Sequence, residues 1–152
     1  MLLKDVFLHQ YLPMKTNYSH STSLRVRYGE TDQMGYCYYG NYAQYCEVGR
    51  VEAMRALGMS YKELEQQGIM LPVSEFKISY QHPAKYDDEL IITTGIIEIK
   101  GARLFFDYSI STAEGLQIAT AQTTLVFIKA DNLKPIPAPD FFSSLLQAYV
   151  SE

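Results

Sequence analysis

The chain has 152 residues, within the size of one ordinary domain, and about 70% of its unfolded surface can be buried at that length. Hydrophobic residues make up 47% and charged residues 20%, a balance that excludes global disorder. A formal net charge of −4 excludes the broad basic face that nucleic acid requires, so no nucleic-acid partner is expected.

Residues 1–22 read as an N-terminal extension before a domain over 23–150. The segment from Met1 to Leu8 is mildly apolar but interrupted by charge. It lacks the basic start and apolar core of a signal peptide. No run approaches the roughly 18 apolar residues of a membrane helix, so the expected setting is the cytoplasm, with no membrane partner. The stretch from Thr16 to Thr22 is polar and reads as linker.

Leu24, Val26 and Tyr28 alternate with Arg25 and Arg27, the period of a strand with one buried face. A loop follows from Gly29 to Gly35. From about Tyr39 to Leu57 the apolar positions Tyr42, Tyr45, Cys46, Gly49, Ala53 and Ala56 recur at three- and four-residue steps, so a helix is predicted. Asn41 is a candidate N-cap and Gly58 a C-terminal glycine. Glu47 and Arg50, three apart, read as a surface ion pair. A short second helix is expected from Ser60 to Gln67. Strands then follow: Phe76 to Tyr80, residues 89–99, Arg103 to Thr112, and Gln117 to Lys129. Turns at Lys100-Gly101-Ala102 and Glu114-Gly115 separate the later ones. Asp140 is placed to cap a closing helix over 141–150. The short connections exclude parallel crossovers, so one long helix must pack on one curled antiparallel sheet, an α+β arrangement.

The two cysteines, Cys37 and Cys46, are too few for a disulfide-stapled domain and read as free thiols. His9, His20 and His82 lie far apart with no CxxC, so no metal site is expected and each His reads as a surface or loop residue.

The segment Tyr28-Gly-Glu-Thr-Asp32-Gln-Met-Gly35-Tyr-Cys-Tyr38-Tyr39-Gly40-Asn41-Tyr42 carries the most information. It resembles the motif of the 4-hydroxybenzoyl-CoA thioesterase family of hotdog-fold proteins, at Asp32, Gly35, Tyr38, Tyr39, Gly40, Asn41 and Tyr42. Glu47, Arg50 and the close Lys134-Pro135-Ile136-Pro137 also fit. The resemblance implies a hotdog fold, about five curled strands around a central helix. It implies hydrolysis of an acyl-CoA thioester, with Asp32 as the working carboxylate and the Tyr39 backbone amide polarising the carbonyl. Gly40, Asn41 and Tyr28 are then substrate-binding positions. Tyr39 departs from the short-chain branch, where His occupies this position, and is nearer to the aryl-CoA type. The resemblance also implies a homodimer or homotetramer with the site between subunits.

The residues support this chemistry independently. An Asp carboxylate is ordinarily anionic at neutral pH and can attack a carbonyl or serve as general base. A helix N-terminus supplies free N–H groups for an oxyanion. The CoA phosphates want cations, for which Lys77, Lys100, Arg103 and Lys129 are candidates. No cofactor is expected, since coenzyme A is part of the substrate. Two other classes stay open: a hotdog dehydratase or hydratase, which would use a helix-borne acid with a His, and a non-catalytic acyl-CoA binding protein.

Overall fold

The structure is a computed structural model and describes residues 13–151. In chain order the elements are β1 (Met14–Arg25), α1 (Asn41–Leu57), α2 (Tyr61–Gln66), β2 (Ile69–Met70), β3 (Val73–Tyr80), β4 (Glu89–Lys100), β5 (Arg103–Thr112), β6 (Gln117–Val126), β7 (Ile128–Lys129) and α3 (Asp140–Leu146). Five strands make one antiparallel sheet in the order β1-β4-β5-β6-β3, and β2 pairs with β7 in a small second sheet. The expected α+β arrangement is therefore present, a curled sheet on a long helix.

Period-two alternation builds the sheet's inner face. In β5, Leu104, Phe106, Tyr108, Ile110 and Thr112 are buried while the residues between them are not. Leu104, Phe106, Ile110 and Leu125 are fully buried, each contributing roughly 1.5–3 kcal/mol. The predicted stripe of α1 rests on this face through Tyr42, Tyr45, Cys46, Gly49 and Ala53; Met54 joins it, while the predicted Ala56 is exposed. Gly58 ends α1 at φ 112°, a left-handed conformation that glycine adopts without strain. Ser60 caps α2 reciprocally with Glu63.

Gly49 sets the closeness of the two layers. A Cβ there would fall 2.5 Å from both Ile92 Cγ2 and Thr94 Oγ1. The helix backbone thus lies directly on β4.

Several expectations are corrected. Thr16–Thr22 is not linker: β1 begins at Met14 and pairs along β4 from Met14↔Ile99 to Arg25↔Glu89. Its hydroxyl-rich sequence hides a strand whose Tyr18 donates to Ala53 O at 2.6 Å, tying β1 to α1. The proposed extension over residues 1–22 therefore supplies a sheet strand from Met14 onward; residues 1–12 lie outside the described residues. The single strand from Gln117 to Lys129 divides, because buried Phe127 turns in to meet Phe142 at 5.4 Å between ring centroids. The closing helix is shorter than 141–150; α3 ends at Leu146 and one 3-10 turn follows.

Asn41 is the first residue of α1 rather than its cap, and Gly40 occupies the cap position with no side-chain bond. Arg50 makes no ion pair with Glu47. Its side chain is only 8% exposed. Its Nε donates to Tyr61 OH at 2.8 Å and its Nη1 to Tyr108 OH at 3.2 Å. Glu47 is exposed to solvent.

Gly49→Ala overfills the helix–sheet contact. It should lower unfolding free energy by about 1–3 kcal/mol, read as a lower urea midpoint at unchanged slope. An unshifted midpoint would show that the layers separate freely.

Candidate active site

The loop between β1 and α1 is organised by one carboxylate. Glu30 accepts from Arg27 N–H at 2.8 Å, from the Arg27 guanidinium at 3.1 Å, and from Tyr45 OH at 2.9 Å. Its backbone carbonyl accepts from Tyr38 N–H at 2.8 Å and from Asn41 Nδ2 at 2.8 Å. One residue thus joins the loop entrance, the start of α1 and its second turn. Burial pushes the Glu30 carboxyl up, but the hydrogen bonds from Arg27 and Tyr45 together outweigh it and hold the group below its ordinary value.

Two residues later, Asp32 closes a tight turn. Asp32 O accepts from Gly35 N–H at 3.0 Å, Asp32 N–H donates to Tyr36 O at 2.9 Å, and Asp32 Oδ1 accepts from Met34 N–H at 2.9 Å. Gly35 has φ 80°, which explains the glycine at this position. The other carboxylate oxygen has no hydrogen-bond partner among the described residues.

Asp32, Cys37, Tyr39, Tyr42, Tyr80 and His82 line one cleft of about 250 Å³. Tyr39 and Gly40 stand at the tip of α1, and neither N–H donates to any group among the described residues. A carboxylate and a residue with a free amide at a helix N-terminus, Asp32 and Tyr39, therefore share the cleft. That pairing can attack a carbonyl carbon and hold the oxyanion that forms.

The other nucleophile candidates in the cleft are held protonated. Burial pushes the Cys37 thiol up. Burial likewise raises Tyr42, to about 12. Both cysteines are free thiols, and Cys46, buried in the core, is pushed up to about 12. Asp32 is the carboxylate that lines this cleft.

The structure does not bring every predicted position to this cleft. Tyr28 is 78% exposed and stacks edge-on against Tyr86. Lys77 lies in a separate groove on the sheet face away from α1, among Asn17, Ser19, Asp107 and Gln122. Lys100 and Arg103 face each other across the β4–β5 turn, at the end of β4 far from residue 89. Lys129 is in β7. Among the described residues, no three His, Cys, Asp or Glu side chains converge as a metal would need.

Three contributors escape sequence reading. Glu30 and Tyr45 carry no motif signal as partners. His82 reaches the cleft because Cys37 N–H donates to Ala84 O at 2.8 Å and Tyr36 bridges Lys85, stitching the segment after β3 to the motif loop.

A family model, the Thioesterase-like superfamily, matches residues 26–146. The chain belongs to this family. Among its relatives is YneP of Bacillus subtilis, provisionally named an acyl-CoA thioesterase, 32% identical over 83% of this chain and 91% of that one. The acyl-CoA thioesterase YbgC of Haemophilus influenzae is 30% identical over 78% of this chain and 88% of its own length. A DHNA-CoA thioesterase from Staphylococcus aureus superposes with a TM-score of 0.79 at 34% identity, over 86% of this chain and 91% of that one. The resemblance drawn from Asp32 to Tyr42 is borne out for family, hotdog fold and thioesterase class.

Folding lowers the Glu30 pKa, so its carboxylate stabilises the fold above 4.5, and that contribution drains away as pH falls below it. Glu30→Gln in this thioesterase should cost about 1.5–3 kcal/mol at neutral pH. The loss should shrink at about pH 3.5. Thermal melts at both values check this; a pH-independent difference would count against it.

Proposed function

We propose that this thioesterase hydrolyses an acyl-CoA to the free acid and CoA, with Asp32 as nucleophile or general base. The Tyr39 backbone amide polarises the thioester carbonyl. The observation that supports the reading is the cleft that Asp32 and Tyr39 both line, where the Tyr39 N–H makes no hydrogen bond among the described residues. The acyl-CoA named for the relatives agrees with it. A hydrogen-bond donor of this kind is typically worth ~3–4 kcal/mol of barrier. Asp32 needs no cofactor in either role. Among the described residues no helix is long and apolar enough to cross a membrane, and the reading assigns the reaction to the cytoplasm.

The reading includes a homodimer, or a homotetramer built from such dimers. A cleft of about 250 Å³ is small beside an acyl-pantetheine, so a second wall is needed. β3 is an edge strand whose Val73, Phe76 and Tyr80 are exposed, a surface suited to a second copy of the chain. Since Lys77, Lys100 and Arg103 lie off the cleft of their own protomer, their proposed contact with CoA phosphates is assigned to the assembled oligomer.

Asp32→Asn should lower the rate of thiol release from a panel of short, long and aromatic acyl-CoAs at least about 100-fold, with an unchanged melting temperature. Hydrolysis at the parent rate would remove Asp32 from the chemistry. In sedimentation the chain should run as a dimer or larger species; a 17.4 kDa monomer alone would remove the oligomer.

A further inference from the structure

His82 is fixed more firmly than an exposed loop residue needs to be. Its backbone N–H and that of Gln81 both donate to Ile118 O, at 3.2 and 2.8 Å. Pro83 restricts its backbone to extended conformations. Its Nδ1 lies 2.9 Å from Gln117 O. That carbonyl is itself held in place, since the Gln117 side chain donates to Ala119 O at 2.8 Å and Ile110 O at 3.1 Å.

A carbonyl oxygen only accepts, so Nδ1 carries the proton of the neutral ring. The lone pair is then on Nε2, which has no partner among the described residues. His82 lines the same cleft as Asp32 and Tyr39. An imidazole whose tautomer is set by a backbone carbonyl, with its other nitrogen free in a reactive cleft, is arranged as a proton acceptor.

We propose that His82 Nε2 accepts the proton of the attacking water, an inference that rests on the thioesterase reading above. As the water oxygen bonds to the acyl carbon, its proton passes to Nε2. Asp32 acts here in its nucleophile role and has first displaced the thiolate, so the bond broken by the water is the anhydride C–O, and the pair returns to the Asp32 carboxylate. The proton on Nε2 ends on the CoA thiolate.

His82→Asn is the informative variant. The asparagine amide can keep the bond to Gln117 O, but nothing replaces Nε2. The parent is first shown to release thiol from benzoyl-CoA and butyryl-CoA. The variant should then lose about 100-fold in kcat, with KM changed by less than about twofold and the melting temperature retained. Added imidazole should restore part of the lost rate. An active parent with a variant kcat within about threefold overturns the role of His82 alone. So does a loss confined to KM, or one that imidazole leaves untouched. A parent inert toward the whole panel sinks the thioesterase reading and this inference with it.

Discussion

The buried carboxylate of Glu30 is the junction on which the site depends. A carboxylate this enclosed is costly unless its oxygens are met by donors. Here the donors come from three separate places: Arg27 at the loop entrance, and Tyr45 within α1, on the side-chain oxygens; Tyr38 and Asn41, at the helix start, on the backbone oxygen. Satisfying one charge therefore positions the loop against the helix. Asp32, two residues on, inherits that position in the cleft that Tyr39 also lines.

The same economy governs the cleft's electrostatics. Aromatic side chains dominate its walls, with Tyr80 in edge-on contact with Tyr39 and Tyr42. Such walls combine apolar ring faces with hydroxyls at their margins. Burial pushes Cys37 and Tyr42 up, so both stay neutral at neutral pH and the cleft's thiol and phenol offer no charge of their own.

What the sequence made legible follows how local the determining contacts are. The stripe Tyr42, Tyr45, Cys46, Gly49, Ala53 lies within one helix and could be read from spacing. The Asp32–Tyr42 motif is contiguous, so carboxylate and helix tip were found together. Arg50 was misread because its partners, Tyr61 and Tyr108, are 11 and 58 residues away. Helical spacing offers only Glu47. The start of β1 was missed because Thr16 and its hydroxyl-bearing neighbours have no apolar alternation, and the pairing with β4 supplies what composition does not. His82 enters through a tertiary stitch between Cys37 and Ala84, which leaves no trace in either local segment.

The two edges of the sheet are finished differently. The first residues of β1 are covered, since Thr16 bridges Val150 and Ser151 N–H donates to Lys15 O. β3 is bare and carries apolar side chains. The sheet is thus open on one side at β3, where a row of backbone groups from Val73 to Tyr80 faces outward beside apolar side chains.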